Sequence, residues 1–541
     1  MAQTSSLTRP RAIKIKWSNA PLIAAFLIIG TPIITTLMIG VFAGGGDVWA
    51  HISATFMWTY FINTVLIMIL MTLIMCTIAI PTAWLVTMHD FPGRGLFAWL
   101  LILPLAAPGY VLAFSYADLV GVSGPLQSTL RDVTGWAARD YWFPNLRSLP
   151  GCAYILSMAL YPYVYLAARA AFQSQSITTL EAAQSLGAGP MARFTKIALP
   201  SARPAIVAGL ALALMEAGAD YGAADFLGVQ TLTVGVFRAW TSFGDPAAGA
   251  RLAIVLVALT FFLLWLERRQ RGLAGYQTNT RRATALKRTK LSSWRAISAS
   301  AFCLLVFFLG FILPITHLIL RAIDAQEQTP PIWDATFNSV SLAAIGALAT
   351  FLIALIVSLG AHQKNKIAQL SSIVSAWGYA IPGAVLGLGA IYSLVALGFP
   401  LSGLAALSLL ILVYISRFSA AGTQPMLAAL QRAPASYAFA ARSLGAGPVR
   451  RMFKIDLPLI APGAATAALI LFVEILKELP ATLMLRPFNW DTLAVRAYAY
   501  ASDERLAASA TPSLAITLAG LLPVLLLSWR LSRNVSGPAH E

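Results

Sequence analysis

The chain has 541 residues, of which 58% are hydrophobic and only 11% are charged, and its net charge is +17. Soluble globular proteins carry about 25% charged residues, so this composition excludes an ordinary soluble protein and predicts an integral membrane protein. The positive charge does not indicate a nucleic-acid-binding domain, because the basic residues lie in short stretches between apolar runs.

Twelve apolar stretches of roughly membrane-spanning length follow one another along the chain. In the first half the predicted spans are 21–42, 57–86, 96–120, 151–172, 204–227 and 251–266. In the second half they are 297–320, 338–361, 370–396, 400–422, 460–484 and 511–531. The first stretch is longer than the core of a signal peptide and further spans follow it, so it is predicted to be an uncleaved helix. The sequence therefore predicts an all-α polytopic membrane protein with about 12 transmembrane helices.

Lysine and arginine collect in the short cytoplasmic loops of membrane proteins. With the N-terminus inside, the segments assigned to the inside hold 28 of the 38 Lys and Arg residues, and one of these segments is 417–454. Both termini are therefore predicted to be cytoplasmic tails, at 1–19 and 534–541. The densest basic run, 268–295, is predicted to be a cytoplasmic linker. It either fixes the topology and tethers two halves or binds anionic lipid, since basic clusters attract such lipids.

A six-residue phrase, Ser-Leu-Gly-Ala-Gly-Pro, occurs at 185–190 and again at 443–448, 258 positions later. Other residues repeat along the chain in the same order. The pairs are Lys196 and Lys454, Glu216 and Glu474, Asn63-Thr64 and Asn338-Ser339, Pro108-Gly109 and Pro382-Gly383, and Thr231-Leu232 and Thr492-Leu493. Since each half has six spans and begins inside, the sequence predicts two parallel six-helix repeats, 20–267 and 296–533.

Each copy of the phrase lies in a loop of small and turn-forming residues. In the first loop, Ala182 and Ala183 allow close helix approach, and Gly187 permits a sharp turn. Pro190 then predicts a helix start, and Leu199-Pro200 predicts the end of that helix before the next span. The second loop repeats these features with the residues Ala440, Ala441, Gly445, Leu457 and Pro458.

The spacing within the first loop is that of a known motif. Glu181-Ala182-Ala183 is followed after three residues by Gly187, and after nine more by Ile197-Ala198-Leu199-Pro200. This pattern resembles the EAA loop of ABC importer permeases, in which a short cytoplasmic coupling helix docks on the ATPase subunit. The second copy departs from it, because Phe439 stands where the glutamate belongs. The resemblance implies the type I ABC importer permease fold, with coupling loops at 173–203 and 423–459.

The chain has no G-x-x-x-x-G-K-[ST] motif, so ATP hydrolysis is expected from separate subunits and the chain is not predicted to be an enzyme. The resemblance implies two copies of an ATPase subunit, which bind ATP and Mg, and an external binding protein as partners. It also implies a bacterial inner membrane. No cofactor, catalytic residue or metal site is assigned to this chain.

The stretch from Glu474 to Arg496, which begins Glu-Ile-Leu-Lys-Glu-Leu-Pro-Ala-Thr, closely resembles the fused permeases of bacterial ferric-iron importers. The segment from Asp220 to Trp240 resembles the corresponding part of their first half. Ferric iron is the substrate that the resemblance favours, and thiamine, polyamines, sulfate and phosphonates are the alternatives within the class. An ion-coupled secondary transporter would also explain the composition, but it would not explain the paired loops.

Ionisable residues inside predicted spans are costly and by default functional. Those singled out are Glu216, Asp220, Glu474, Lys477 and Glu478. Glu216 is predicted near the middle of its span, since it lies 12 residues beyond Pro204, about 18 Å along a helix. Two interpretations are open. The residues line a translocation route, where carboxylate oxygen suits a hard cation such as Fe(III), or those at 474, 477 and 478 neutralise one another on one helix face.

Overall fold

The computed structural model describes residues 19–44, 46–175, 183, 185–273, 288–325, 330–431, 443 and 447–533. These residues are helical apart from loops and two strands of two residues each, so the predicted all-α class is confirmed. Among them, nine helices are long and apolar enough to cross a membrane, and three bent helix pairs raise the number to 12 when each pair counts as one span.

The first half contains six spans with shorter helices between them. Its helices are α1 (Ala20–Phe42), α2 (Asp47–Thr55), α3 (Met57–Met88), α4 (Arg94–Leu100), α5 (Gly109–Val120), α6 (Pro125–Thr134), α7 (Leu149–Ser174), α8 (Pro190–Arg193), α9 (Leu199–Ala219), α10 (Gly222–Phe226), α11 (Leu232–Thr241) and α12 (Pro246–Leu273). A 3₁₀ turn, Leu103–Ala106, precedes α5. Proline is the first residue of α6, α8 and α12. The N–H of a residue at this position has no partner within the helix, so proline, which has no N–H, loses no hydrogen bond there.

The second half repeats this order from its second span onward. Its helices are α13 (Ser293–Phe307), α14 (Leu313–Asp324), α15 (Trp333–His362), α16 (Lys366–Ala380), α17 (Gly383–Ala396), α18 (Gly403–Gln431), α19 (Pro448–Arg451), α20 (Leu457–Leu476), α21 (Pro480–Leu485), α22 (Leu493–Ser502) and α23 (Leu506–Arg533). A π-turn, Phe308–Ile312, joins α13 to α14. The repetition in the sequence is therefore a repetition of structure.

Two repeated Pro-Gly pairs break the third and ninth spans. Pro108 precedes α5, and the chain bends by 92° between α4 with its 3₁₀ turn and the helices that follow. Pro382 precedes α17, and the bend from α16 is 116°. Proline has no N–H and restricts the residue before it, so both helices end there. Pro162 behaves differently, because α7 runs through it without interruption.

One prediction about the segment that follows each phrase is wrong. The helix that starts at Pro190 does not end at Leu199-Pro200 but continues to Ala219 through a π-turn at Phe194–Ala198. The same π-turn recurs at Met452–Asp456, between α19 and α20. A π-turn closes its hydrogen bond one residue further back, and this wider turn accommodates the missing N–H of the proline that follows it. The first phrase therefore opens a helix that is continuous with a membrane span, and the second opens one that bends by 54° between Ala461 and Gly463.

The two halves interlock, because the first span of each packs against the broken span of the other. α1 lies against α16 and α17, and the Thr36 hydroxyl donates a hydrogen bond to the Val385 carbonyl at 3.0 Å. In return, α14 lies against α5, where Asp118 accepts from Arg321 at 2.6 and 2.8 Å and lies 2.9 Å from His317. A rigid-body motion of one half must therefore carry the first span of the other with it.

A hydrogen-bonded clamp holds the start of the second span against the segment after the fifth. Asn63 donates its side-chain N–H to the Gln230 carbonyl at 3.0 Å, and the Thr64 hydroxyl accepts from the Leu232 N–H at 2.9 Å. Three of these four residues, Asn63, Thr64 and Leu232, belong to the repeated dipeptides, and nothing in the sequence indicates that these dipeptides meet.

The second half makes the same clamp with its own copies. Asn338 donates to the Asp491 carbonyl at 3.1 Å, and Ser339 accepts from the Leu493 N–H at 2.7 Å. The repeated dipeptides are therefore partners within each half, and they fix α11 and α22 in equivalent positions.

The described end of the basic linker is attached to the first half. Strand β2 (Thr289–Lys290) pairs in parallel with β1 (His89–Asp90), and the His89 ring lies 2.7 Å from the Thr289 hydroxyl. Burial lowers the pKa of His89, which favours the neutral ring in this contact. Residues 274–287 of the predicted linker lie outside the described residues.

Candidate functional site

The candidate site lies where the two broken spans meet the ends of α9 and α20. Gly109 and Gly383, which follow the two breaking prolines, occupy equivalent places. A Cβ at Gly109 would lie 2.6 Å from an Asp220 carboxylate oxygen, and a Cβ at Gly383 would collide with Glu478 and come within 2.7 Å of Arg417. Only glycine allows the backbone to approach these side chains so closely. The Pro-Gly pairs therefore place two backbone turns against two carboxylates.

Asp220 and Glu478, 258 positions apart like the phrases, cap the short helices that follow α9 and α20. Asp220 accepts a hydrogen bond from the Ala223 N–H at 2.8 Å. Glu478 accepts from the Ala481 N–H at 2.9 Å and from the N–H and hydroxyl of Thr482 at 3.0 and 2.8 Å. A carboxylate at a helix N-terminus satisfies N–H groups that would otherwise have no partner. Both carboxylates thus have a structural function in addition to facing the site.

The other two carboxylates differ in their pairing. The Lys477 ammonium lies 2.8 Å from a Glu474 oxygen, so the predicted pair at i, i+3 forms. Glu216 is partly buried, and among the described residues its carboxylate makes no hydrogen bond or ion pair. Glu216 is therefore the carboxylate of the site that is free to bind something else.

The predicted trio of Glu474, Lys477 and Glu478 on one helix face is wrong in part. α20 ends at Leu476, so Lys477 and Glu478 are beyond the helix, and Glu478 points instead to α21. Glu216 likewise lies in the last turn of α9, which ends at Ala219, and not near the middle of a span. In both halves the long helix ends where a carboxylate, Asp220 or Glu478, caps the short helix that follows it.

Sequence reasoning missed Arg417, whose side chain faces the same site. It lies within α18 and is only 5% exposed, although the charge count placed it in an inside loop. Its Nη1 lies 3.8 Å from a Glu478 oxygen, which is an ion-pair distance but too long for a hydrogen bond. A predicted span at 400–422 already contained it, so an arginine inside an apolar stretch was the available signal.

These residues line one narrow chamber of about 70 Å³ between the two halves. All five predicted site residues of the membrane region reach it, and Arg417 joins them. Four carboxylates and two cations give the chamber a formal charge of −2. A space of this size holds a few water molecules or one small ion with its oxygen ligands. Within the described residues no three His, Cys, Asp or Glu side chains come close enough together to hold a metal ion.

A wider cavity of about 580 Å³ continues from the chamber and shares Leu105, Tyr163, Glu474 and Lys477 with it. It extends toward the side on which α8 and α19 begin, called here the phrase side. On α20 its lining runs from Ala465 to Val473, which precede Glu474. The lining is mostly apolar, so charged groups are concentrated at the chamber end.

On the side opposite the phrases, hydrogen bonds join the two halves. Tyr498 on α22 donates to Asp225 on α10 at 2.5 Å, and Arg147 forms two hydrogen bonds with Glu504 at 2.7 and 2.8 Å. Arg147 lowers the pKa of Glu504 through these bonds. We call these two contacts the outer latch. The chamber therefore continues into the wide cavity on the phrase side and is bounded by inter-half contacts on the other.

The coupling-loop residues fall into two groups. Gly187 adopts a φ of +82°, and the Ala188 N–H donates to the Ala183 carbonyl at 2.9 Å, which is the hydrogen bond of a glycine-terminated helix end. Leu199, Pro200, Leu457 and Pro458 lie in the first turns of α9 and α20. The predicted residues Glu181, Ala182, Ala440, Ala441 and Gly445 lie outside the described residues.

Residues 48–272 and 348–531 match the family of the binding-protein-dependent transport system inner membrane component. The chain belongs to this family. The family matches twice within one permease chain, which agrees with the two structural repeats.

Relatives of the permease differ in what their names say they transport. The Fe(3+)-transport system permease protein FbpB 2 of Haemophilus influenzae is 24% identical over 472 residues, which are 86% of this chain and 88% of that protein. The thiamine transport system permease protein ThiP of Brucella abortus is 27% identical over 72% of each chain. The sulfate transport system permease protein CysT of Salmonella typhimurium is 28% identical over 34% of this chain and 65% of that protein. The permease is therefore a multi-pass ABC importer subunit.

Proposed function

We propose that this permease moves ferric iron from an external binding protein to the cytoplasm. The observation that carries the proposal is the charged chamber between the halves, which has more carboxylates than cations and includes the unpaired Glu216. Carboxylate oxygen is a ligand type that hard cations prefer. The similarity to an Fe(3+)-transport permease over most of both chains supports the same substrate.

The chamber and the wide cavity form the proposed route. Transport proceeds by alternating access: closure of an ATPase dimer draws the two coupling loops together, and the chamber is then opened on the side of the outer latch. The helix that begins at Pro190 continues into α9, and α9 ends at the chamber, so a push on the coupling loop reaches Glu216 along one helix. α19 and α20 provide a corresponding connection to Glu474, with a bend of 54° between Ala461 and Gly463.

The partner arrangement is part of the proposal. Two loops in one chain imply two copies of the ATPase subunit, which bind ATP and Mg, and one external binding protein. The chain itself binds no cofactor and catalyses no covalent step. The phrase side is the cytoplasmic side, and both termini lie there in the bacterial inner membrane.

The test is uptake by proteoliposomes that contain the permease, its ATPase and its cognate binding protein. Iron-55 supplied as ferric iron is expected to enter only with ATP and with the binding protein present. Labelled thiamine and labelled sulfate are compared under the same conditions, since relatives carry those names. ATP-dependent uptake of thiamine or sulfate without uptake of iron would overturn the proposed substrate and keep the importer class.

A further inference from the structure

Arg417 has donor groups at the chamber that no group of the described residues accepts. The residue is 5% exposed, and within the described residues its buried Nε and Nη1 atoms have no hydrogen-bond partner. Its guanidinium lies 5.4 Å from the centre of the Phe418 ring. The ring attracts the positive charge electrostatically, but it does not replace a hydrogen-bond acceptor. Buried donors without an acceptor are costly, so a side chain kept in this state indicates a missing partner.

Two of the four carboxylates that line the chamber are already occupied, and among the described residues neither Glu216 nor Asp220 lies within ion-pair distance of Arg417. Both oxygens of Glu478 accept hydrogen bonds from the start of α21, and Glu474 is paired with Lys477. Glu478, at 3.8 Å, neutralises part of the charge of Arg417 but is too distant to accept a hydrogen bond from its N–H groups. Arg417 therefore differs from Lys477, whose only ammonium group is engaged at 2.8 Å.

The group that fits Arg417 is an anionic oxygen group. A guanidinium presents N–H donors in a planar fork that matches carboxylate and phosphate oxygens. An isolated anion would be repelled by the formal charge of −2 in the chamber, so the anionic group has to arrive together with positive charge. The absence of a three-ligand metal cluster among the described residues, and the apolar lining of the 580 Å³ cavity, both fit a species that brings its own ligands.

We propose that Arg417 contacts the transported species directly, by donating hydrogen bonds to an anionic oxygen group that this species carries. The transported species is then a complex of the cation with an oxygen-donor anion, and not a bare cation. Glu216 faces the positive part of the complex and Arg417 its anionic part. The identity of the cation rests on the proposed function, whereas the need for an anionic group rests on Arg417 alone.

The test uses the complete transporter in proteoliposomes, with iron-55 loaded on the binding protein together with either carbon-14 citrate or phosphorus-32 phosphate. Iron and one of the two anions are expected to enter in a fixed ratio. Arg417→Gln is expected to lower uptake about ten- to hundredfold, the range for losing a hydrogen bond to a charged group. Arg417→Lys keeps the charge and is expected to retain part of the uptake with a raised half-saturation concentration.

Two controls separate contact from structure. Arg131→Gln removes an arginine from α6 that does not line the chamber and whose hydrogen bonds go to Tyr141 and the Val122 carbonyl, and it is expected to leave uptake unchanged. ATP hydrolysis stimulated by the binding protein reports folding and coupling, and it is expected to persist in Arg417→Lys.

Iron uptake without either anion, or wild-type uptake by Arg417→Gln, would overturn the inference. Absence of iron uptake by the wild type is the separate failure of the proposed substrate. In that case the same variants are assayed with the substrate that the wild type does carry. A transported species without an anionic oxygen group, such as thiamine, would contradict the role of Arg417. Uptake of an oxyanion that is lost in Arg417→Gln would support that role if a cation enters with the anion in a fixed ratio, and uptake of the oxyanion without a cation would overturn the proposed complex.

Discussion

The two halves of the permease share a backbone design but differ in charge where they meet. Both place a Pro-Gly turn against a capping carboxylate, and both repeat a glutamate four residues earlier, at 216 and 474. The first half adds no cation to the chamber, whereas the second half adds both Arg417 and Lys477. At the offset of 258 residues that relates the halves, these cations correspond to Ala159 and Ala219, which also line the chamber.

This difference separates scaffold from binding function. The glycines, the caps and the clamps are the same in both halves, because they build the same turns. The charges have diverged, so Glu474 is paired within its own half and Glu216 is not. We infer that the first half supplies the free carboxylate and the second half the cations, and the predictions below test that division.

The largest effect is expected from adding a methyl group at the Pro-Gly turns. Gly383→Ala would press against Glu478 and Arg417, both almost fully buried and held in place. It should destabilise the permease by about 1–3 kcal/mol, as overpacking does, and lower uptake. Gly109→Ala meets Asp220, which makes fewer hydrogen bonds and can yield, and the far end of the Leu156 side chain, so its effect should be smaller. Thermal unfolding of the purified complex measures both, with Gly95→Ala as control because nothing lies within 4 Å of a Cβ there. Equal stability of all three variants would contradict the close approach.

The next effect distinguishes the two repeated glutamates by stability. Glu474→Gln leaves Lys477 without its partner and should destabilise by about 1–3 kcal/mol. The double variant Glu474→Gln with Lys477→Met should recover most of that loss, as a double-mutant cycle would show. Glu216→Gln breaks no contact and should leave the unfolding temperature unchanged. A stability loss of equal size for both single variants would remove the distinction between the halves.

A smaller effect is expected in the coupling loops. Gly187→Ala forces a side chain into a φ of +82° and should cost about 1 kcal/mol locally, while Gly189→Ala, at a φ of −64°, should cost little. The readout is the amount of substrate moved per ATP hydrolysed. Gly445→Ala should match Gly187→Ala if the second loop turns in the same way. Full transport by both Gly187→Asp and Gly445→Asp would contradict the coupling-loop assignment.

The smallest effect is expected at the outer latch. Arg147 and Glu504 are largely exposed, so Arg147→Gln should change stability by only about 0.2–1 kcal/mol. Arg147 lowers the pKa of Glu504 from its ordinary value of 4.5. The contribution of the pair is therefore present above that value and is lost as the pH falls through the lowered pKa. Unfolding measured from pH 7 to pH 3 should show the difference between wild type and Arg147→Gln shrink at the acidic end.

Much of the fold could be predicted from the sequence, because the long apolar runs and the repeated phrase report it directly. The breaks at Pro108 and Pro382 have a local cause, because proline lacks an N–H and restricts the residue before it. The limits of two spans were wrong: the predictions 204–227 and 460–484 ran across the junctions at Asp220 and Glu478. Hydropathy does not register a helix end that is buried and capped, since the next helix is equally apolar.

The site was predicted less completely than the fold. One chamber does contain the five charged residues that were singled out because charges inside membrane spans are by default functional: Glu216, Asp220, Glu474, Lys477 and Glu478. Arg417 was missed because the charge count assigned it to an inside loop, although it also lay within the predicted span 400–422. Which carboxylates are paired also depends on contacts between distant segments, and a single sequence does not contain these.

The most direct test of this account is ATP-driven uptake by the Glu216→Gln permease in proteoliposomes. Uptake is expected to fall at least roughly tenfold, with unchanged thermal stability and with ATP hydrolysis that still responds to the binding protein. Wild-type uptake by this variant would contradict the claim that the charged chamber between the two halves is the translocation route.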